Sequence, residues 1–348
     1  MATLKAATRS MSPLGEADSW DAGVARAGGR LLQSWRWGDF KERHGWGVER
    51  VKVEREGQGA YAQILFKHRG PLAYGYVPRG PVLSEDDPGL LQALLIEIDR
   101  ACHRRRAISV VFEPERALFL PGGGALPFLP GPPHVQPART VRVALLPDEP
   151  LLMQMHQKTR YNILLARRRG VTVAVEPTET AFGDFFSLME ETSRRNDYAI
   201  HSEAYYRDAM ETFQDDGTLM LARVEGGDPA AALIVVGFAD EAIYLYGASS
   251  THHRSFGPGF ALQFEAMRWA RDRGFSRYDL WGIPATDPET TRAEAGDRVA
   301  STKGDDWRGL YEFKVRFGGE IVSYPPSLER PYLPLLPKLT RRLYLRQA

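Results

Sequence analysis

Cysteine is almost absent from the 348-residue chain, which carries a single copy, Cys102. One thiol cannot form an intramolecular disulfide, so the sequence favours a reducing compartment. The surrounding segment LLQALLIEIDRACHRRR is typical of an amphipathic helix, which predicts that Cys102 is a small core side chain rather than a nucleophile. Catalysis by cysteine is therefore not expected.

Long apolar runs are missing as well. No stretch approaches the ~20 apolar residues that a membrane span needs, and the N-terminal MATLKAATRSMSPLGEADSWDAG has no apolar signal core. The sequence therefore predicts a cytoplasmic protein. The C-terminal PYLPLLPKLTRRLYLRQA combines apolar and basic residues, so it either packs against the body or contacts the anionic inner membrane surface.

A large net charge is also missing, because 45 basic residues face 44 acidic ones and the net charge is +1. The molecule as a whole has no field to attract a polyanion, so an RNA partner would need a local basic patch. One candidate patch lies in KTRYNILLARRRG, where the alternative is a solvated helix face. Its basic residues are Lys158, Arg160, Arg167, Arg168 and Arg169.

The length of the chain and its pattern of elements predict two domains. A chain of 348 residues is long for one core, and 43% apolar with 26% charged residues is a globular composition. Each half runs through helices, antiparallel strands, a helix and another strand, which favours two similar α+β units in tandem. In the second half, three meander strands, a helix and a strand resemble the core order of the acyl-CoA N-acyltransferase (GNAT) fold.

The segment GLYEFKVRFGG, residues 309–319, is predicted as a strand that ends at a Gly-Gly turn. Its aromatic and branched side chains would share one face. Lys314 would lie on the opposite face from its neighbour Phe313. The lysine is then either a solvated charge on an edge strand or a fixed positive charge at a site.

The segment RSFGPG, residues 254–259, matches the letters with which acyltransferases of the GNAT fold bind the pyrophosphate of coenzyme A. Glycine N–H groups and the positive end of a helix would face the anion. Pro258 lacks one of those N–H groups, which favours a plain helix start instead. No metal-ligand spacing or nucleotide-binding fingerprint occurs elsewhere, so we expect no cofactor and a direct attack between two bound substrates.

Five segments together resemble the Fem (FemABX) family of peptidoglycan peptidyltransferases. In chain order they are YVPRGPV, KTRYNILLARRRGV, YLYGASS, YDLWGI and GLYEFKVRFGG. The resemblance covers about Trp35 to Gly319. It implies an α+β fold with two GNAT-like domains and no helical coiled-coil arm. Residues 1–148 with 318–348 would form the first, precursor-binding domain, and residues 149–317 the second, on the aminoacyl-tRNA side.

The resemblance also implies a function. A non-ribosomal aminoacyltransferase would move an amino acid from aminoacyl-tRNA to the stem-peptide amine of a peptidoglycan precursor, either UDP-linked or lipid II, and so build the interpeptide bridge. The alternatives are a coenzyme A-dependent N-acyltransferase and a tRNA-binding or cell-wall scaffold without turnover. Neither the amino acid nor the oligomeric state follows from the sequence.

Individual residues take roles from the same resemblance. Lys314 and Phe313 match the lysine and its neighbour beside the aminoacyl ester, where an ammonium would stabilise developing negative charge. Lys41 matches the lysine that binds the precursor phosphates. Tyr205 and Tyr246 match tyrosines that line the precursor groove.

One position departs from the family pattern. His201 stands four residues before Tyr205, where some members carry a phosphate-binding arginine, and Arg207 or Arg79 would have to substitute. Tyr76 and Arg79 lie in the rigid frame YVPRGPV, which suits either a structural turn or an anion site.

Overall fold

The computed structural model describes residues 15–55, 57–118, 127–287 and 307–333. It contains two seven-stranded sheets with helices packed on them, which confirms the predicted α+β fold with two GNAT-like halves. Most of the polar loop predicted at residues 284–308, and the C-terminal segment beyond residue 333, lie outside the described residues. Within the described ranges, no helix combines the length and apolar character needed to cross a membrane.

The first sheet belongs mainly to the N-terminal half. Its strands are β1 (Gly47–Arg55), β2 (Gln58–Arg69), β3 (Leu72–Pro78), β4 (Val82–Leu83), β5 (Ala107–Glu113), β6 (Leu129–Pro130) and β14 (Leu328–Pro331). They pair in the order β1-β2-β3-β5-β14-β6, with β4 beside β2. The helices of this half are α1 (Glu16–Arg26), α2 (Trp35–Arg43) and α3 (Pro88–Arg104).

Helix α3 shows how local sequence specifies one of these elements. The Asp87 carboxylate accepts a hydrogen bond from the Gly89 N–H at 2.7 Å, and Pro88 occupies the first helical turn. Cys102 lies on the buried face of α3, as predicted, and burial raises the pKa of its thiol to about 12.

The second sheet carries the meander predicted from the sequence. Its strands are β7 (Arg139–Ala144), β8 (Thr172–Val175), β9 (Gly217–Arg223), β10 (Pro229–Phe238), β11 (Glu241–Ser249), β12 (Arg277–Ile283) and β13 (Glu320–Ser323). Its helices are α4 (Asp148–Met153), α5 (Gln157–Arg168), α6 (Glu179–Asn196), α7 (Glu203–Thr212), α8 (Pro258–Asp272) and α9 (Trp307–Val315). The strand order is β13-β7-β12-β11-β10-β9-β8, and β11 pairs parallel with β12 across α8.

The sheets do not divide the chain at the predicted domain bounds. Strand β7 lies within residues 1–148 and β13 within 318–348, yet both pair in the second sheet. Strand β14, also within 318–348, returns to the first sheet and pairs with β5 and β6.

The prediction of a strand at residues 309–319 is wrong, because residues 307–315 form helix α9. Leu310, Phe313 and Phe317 are spaced three and four residues apart, which also fits one face of a helix. Packing decides between the two, since Phe313 and Phe317 both contact Phe260 of α8. Phe313 and Lys314 therefore do not point to opposite faces of a sheet.

The basic segment KTRYNILLARRRG lies in helix α5, which is separate from helix α4 before it. Helix α4 ends at Met153, and His156 caps the start of α5 by accepting a hydrogen bond from the Lys158 N–H at 3.1 Å. At the other end, Gly170 follows the helix with a φ of +72°, a left-handed conformation that glycine adopts readily after a helix.

A hydrophobic cluster joins the two halves and positions the site. Trp37 and Phe40 of α2 pack against Phe213, which follows α7. Phe40 also meets the ring of Tyr205 edge-on at 4.8 Å. Helix α2 thus belongs to the N-terminal half in sequence but shares a core with α6, α7 and the second sheet.

Candidate active site

Lys314 is the buried cation of helix α9. Its side chain is 5% exposed, and its Nζ donates a hydrogen bond to the Gly282 carbonyl oxygen at 2.8 Å. The ring of Tyr244 lies 5.5 Å from the same nitrogen. Burial lowers the pKa of Lys314 to about 8, and the charge of Asp279 acts in the opposite direction. An ammonium in this position is fixed by a backbone acceptor, which leaves donors for a substrate oxygen.

Phe313 lies over the start of helix α8. Its ring meets that of Phe260 at 5.0 Å and is 3.6 Å from where a Cβ on Gly259 would stand. The RSFGPG segment forms a short 3₁₀ turn at Arg254–Phe256, and Gly257 has a φ of +71° directly before the helix. An aromatic ring thus packs on the glycines that a coenzyme A pyrophosphate would approach.

Lys41 lies among aromatic rings at the junction of the two halves. Its Nζ donates to the Tyr205 hydroxyl at 3.2 Å and is 5.4 to 5.8 Å from the ring centres of four residues. These are Trp37, Phe40, Trp46 and Tyr205. Burial, and then the charge of Lys67, lower the pKa of Lys41 to about 8. Lys41 forms no ion pair with a carboxylate of the described residues, so its charge is available to an anion.

His201, Tyr205 and Tyr246 complete this aromatic site. The His201 ring stacks on Tyr205 at 3.9 Å, and Tyr246 meets Tyr205 edge-on at 6.4 Å. Desolvation, the charge of Lys41 and that of His44 lower the pKa of His201. The structure thus brings together four of the predicted substrate-binding residues, from segments far apart in the chain.

Comparisons with known proteins show which families and folds the chain is similar to. The model of the FemAB family matches residues 18–120, and that of an acetyltransferase (GNAT) domain matches residues 154–315. Relatives include lipid II:glycine glycyltransferases of Staphylococcus haemolyticus, 22% identical over 92% of this chain and 93% of theirs, and of Staphylococcus aureus, 23% identical over 90% and 92%.

Over most of its length the chain is similar to proteins of the FemAB family in sequence and in fold. It is an acyl- or aminoacyltransferase. Among solved structures, FemX superposes with a TM-score of 0.80 at 21% identity, over 94% of this chain and 99% of FemX. L-PGS from Bacillus licheniformis superposes with a TM-score of 0.51 at 16% identity, over 90% and 96%. At these sequence identities, the two structural matches show a shared fold and no more.

The side chains of Tyr76 and Arg79 hold a loop against the first sheet. The Tyr76 hydroxyl donates to Glu113 at 2.8 Å, and Glu113 accepts the Gln136 N–H at 3.0 Å. Arg79, 3% exposed, donates from Nη2 to the Pro137 carbonyl at 2.7 Å and stacks on Tyr324 at 3.4 Å. These contacts join the loop after β6 to the first sheet.

Arg207 also faces away from Lys41. It forms ion pairs with Glu179 at 2.6 Å and Glu203 at 3.0 Å and stacks on Phe182 at 4.2 Å. Arg207 lies two positions after Tyr205 on α7, so the two side chains point in different directions. Of the predicted substrate-binding cations, Lys41 is therefore the one that contacts Tyr205, and His201 stacks on the same ring.

The five predicted RNA-binding residues occupy the two ends of α5. Lys158 and Arg168 are exposed and pair with no carboxylate of the described chain, whereas Arg167 binds Glu265 at 2.8 Å. Arg160 donates to the Met155 carbonyl at 2.6 Å and Arg169 to the Ser255 carbonyl at 2.5 Å. Ten residues of helix separate Lys158 from Arg168, which is about 15 Å. The patch is therefore divided.

Two buried carboxylates of the second sheet, one on β12 and one on β11, were not identified from the sequence. Asp279 is 2% exposed and Glu241 is 1% exposed, and both lie against Arg142. The available signal was an acidic residue within the apolar strand YDLWGI. Among the described residues, no group of three or more His, Cys, Asp or Glu side chains is arranged to hold a metal ion.

Proposed function

We propose that the protein is a non-ribosomal aminoacyltransferase that moves an amino acid from aminoacyl-tRNA to the stem-peptide amine of a peptidoglycan precursor. The observation that carries the proposal is Lys314, a buried ammonium held by the Gly282 carbonyl. Relatives matched over nine-tenths of the chain are named lipid II:glycine glycyltransferases, which supports a precursor as acceptor and bridge building as the result.

The reaction needs one positive charge at the ester. The acceptor nitrogen forms a bond to the ester carbonyl carbon, and negative charge develops first on the carbonyl oxygen and then on the ribose oxygen. The ester C–O bond then breaks, and the proton lost by the attacking amine is taken up by the ribose oxygen. Lys314 would stabilise the negative charge at both stages, and its lowered pKa of about 8 also suits proton donation to the leaving oxygen.

The acceptor would bind at the aromatic site. Lys41 would meet the diphosphate that UDP-linked and lipid-linked precursors share, since its charge has no described carboxylate partner. Tyr205 and Tyr246 would line the groove, and His201 would supply a second cation when protonated. The site combines α2 of the first domain with α7 and β11 of the second, which is consistent with a precursor bound between the proposed domains.

The donor RNA would contact the two ends of α5. Lys158 and Arg168 are the exposed basic residues there whose side chains have neither a described hydrogen bond nor a described ion pair, so they would supply phosphate contacts on a chain whose net charge is only +1. Arg160, Arg167 and Arg169 lie close by and would contribute less, because each already binds a protein group.

A coenzyme A-dependent N-acyltransferase is the second candidate. The match to an acetyltransferase (GNAT) domain and the glycines at the start of α8 favour it. Pro258 without an N–H, and the Phe313 ring against Gly259, count against a pyrophosphate at that helix end.

The experiment uses purified full-length protein with charged total tRNA and either UDP-linked precursor or lipid II, and reads the product by mass. A precursor heavier by one or more amino acid residues, absent with uncharged tRNA and formed far more slowly by Lys314→Met, is the expected result. Acetyl-CoA with the same acceptors forms the parallel arm. Acetylated product without any aminoacylated product would replace the proposal by the second candidate, and binding of tRNA without either product would indicate a scaffold.

A further inference from the structure

Strand β12 is irregular just where it approaches helix α9. Its ladder with β7 shifts register between Asp279 and Gly282, and Trp281 has a φ of +61°. A bulky residue rarely adopts this left-handed conformation, so something must stabilise it. The Asp279 Oδ1 accepts the Trp281 N–H at 2.7 Å and also accepts the Thr140 hydroxyl. The Asp279 carboxylate therefore stabilises the bulge, because it links the Trp281 N–H to the Thr140 hydroxyl of β7.

The bulge determines where Lys314 is held. Gly282 follows it, and its carbonyl oxygen accepts the Lys314 Nζ at 2.8 Å. A side chain cannot be added at Gly282, because its Cβ would lie 2.5 Å from the Cγ of Pro137. The Lys314 side chain is thus held by the Gly282 carbonyl, and the direction of that carbonyl depends on the conformation of residues 279–282.

Asp279 is the described charge that acts on Lys314, and the Tyr244 ring of β11 lies beside the lysine. The charges around Asp279 in turn come from several strands, with Arg142 on β7, Glu241 on β11 and Glu115 after β5. Arg142 Nε is 2.9 Å from Glu241 and 3.8 Å from Asp279, so it is shared between them. Asp279 is the neighbour whose charge raises the pKa of Lys314 against the effect of burial.

We propose that Asp279 is the positioning residue for Lys314, which it serves by holding the β12 bulge behind Gly282 and by stabilising the buried ammonium with its negative charge. The positional part of this inference stands on the hydrogen bonds alone. Its effect on transfer rests on the proposed function, in which the Lys314 charge acts on the ester.

The variant Asp279→Asn separates the two contributions. Its amide oxygen can still accept the Trp281 N–H, so the bulge persists while the negative charge is lost. Lys314 should then titrate about one pH unit lower, the scale of one lost opposite charge nearby. Transfer at pH above the new pKa should fall about tenfold, since each pH unit changes the protonated fraction tenfold. The Michaelis constant for the precursor should not change.

Lys314 can be observed directly by NMR of ¹⁵N-labelled lysine side chains, with its signal assigned by its loss in Lys314→Met. The matched control is Asp287→Asn, which removes a carboxylate bonded to Tyr311 on the same helix. We expect a lower titration midpoint in Asp279→Asn and an unchanged one in Asp287→Asn. An unchanged midpoint in Asp279→Asn would overturn the inference.

A second variant covers the case in which Asp279→Asn does not fold. Burial raises the pKa of the Asp279 carboxyl, and the Thr140 hydrogen bond lowers it. Thr140→Val should therefore leave more of Asp279 protonated and move Lys314 in the same direction by less. A Lys314 titration that Thr140→Val moves upward, or leaves in place, would contradict the inference independently.

The NMR titration needs neither donor nor acceptor. If wild-type protein transfers no amino acid while Asp279→Asn still lowers the Lys314 midpoint, the proposed function fails and the role of Asp279 stands. If transfer occurs with the same pH profile in wild type and Asp279→Asn, the role of Asp279 fails and the proposed function stands.

Discussion

The Nζ of Lys41 and the hydroxyl of Tyr205 are 3.2 Å apart although 164 residues separate them in the chain. The bond fixes the direction of the lysine but leaves its charge uncompensated, because a hydroxyl accepts a hydrogen bond without carrying charge. A cation held in this way among aromatic rings is prepared for an anionic ligand. The first two predictions concern this pair.

Lys41→Ala should raise the Michaelis constant for the precursor about tenfold or more, since a charge-assisted bond of ~1.5–3 kcal/mol to the diphosphate is lost. Lys67→Met is the matched control, because Lys67 lies over the same Trp46 ring at 5.1 Å but donates to the Gly45 carbonyl. Steady-state kinetics with saturating donor measures both. If Lys41→Ala had the wild-type Michaelis constant for the precursor, Lys41 would not be part of the precursor-binding site.

Precursor affinity should fall as pH rises through the pKa of Lys41, which is about 8. The charged form binds the anion, and it is present below that pKa and lost above it. Lys67→Met should move the fall to higher pH, since the charge of Lys67 lowers the pKa of Lys41. Calorimetric titration at a series of pH values checks both, and an affinity independent of pH in this range would argue against a charged Lys41.

Lys314→Met should lower the single-turnover transfer rate by roughly a hundredfold or more, the effect of one lost oxyanion contact of ~3 kcal/mol. Precursor affinity should change little, because Lys314 and Lys41 belong to different parts of the site. The thermal midpoint measured on the same preparation shows whether the protein is folded. A folded Lys314→Met protein that transfers at the wild-type rate would leave the lysine without a catalytic role.

Wild-type stability should rise as pH increases from about 8 toward 10.5, the range between the folded and ordinary pKa of Lys314. In that range the unfolded chain binds a proton that the folded chain has released, so raising the pH favours folding. The contribution of Lys314 is about 3 kcal/mol over the whole range. In urea unfolding experiments, the free energy of unfolding of Lys314→Met should rise less over this pH range than that of the wild type. The rise that remains comes from Lys41, whose pKa is also lowered to about 8. Equal slopes in the two proteins would contradict a buried ammonium.

RNA binding should weaken with salt, and the slope of log affinity against log salt should decrease by about one for Lys158→Gln and again for Arg168→Gln. Arg167→Gln is the comparison, because its ion pair with Glu265 leaves less charge for phosphate. Filter binding of tRNA at several salt concentrations measures the slopes. If all three variants keep the wild-type slope, the RNA binds elsewhere on the protein.

Local signals were sufficient for many elements of the fold. The meander of β9, β10 and β11 appears as predicted, and the cap at Asp87 and the glycine after α5 follow from short-range residue preferences of the same kind. Helix α9 does not follow from them, because Phe313 and Phe317 satisfy both a strand and a helix pattern, and only contact with Phe260 selects the helix. Tertiary packing overrides ambiguous periodicity here.

The residues of the candidate site also differ in how far the sequence indicated their contacts. Lys41, Tyr205 and Tyr246 lie together in the structure, whereas Arg207 and Arg79 bind other protein groups. Asp279 escaped notice because its partners, Thr140 and the Trp281 N–H, come from a neighbouring strand and an irregular backbone. Neither the contact with Thr140 nor the backbone conformation at Trp281 can be predicted from the order of residues along the chain.

Strand β14 lies between β5 and β6, so residues 328–331 complete a sheet that begins at residue 47. During synthesis the β5 edge of the first sheet therefore stays open until residues 328–331 have left the ribosome. The first sheet cannot be completed before the second half of the chain has been made, so the two halves do not finish folding one after the other. An open edge strand on a nascent chain is a site for wrong pairing, so yield in the cell should depend on chaperones that cover it and on uninterrupted translation through residue 331.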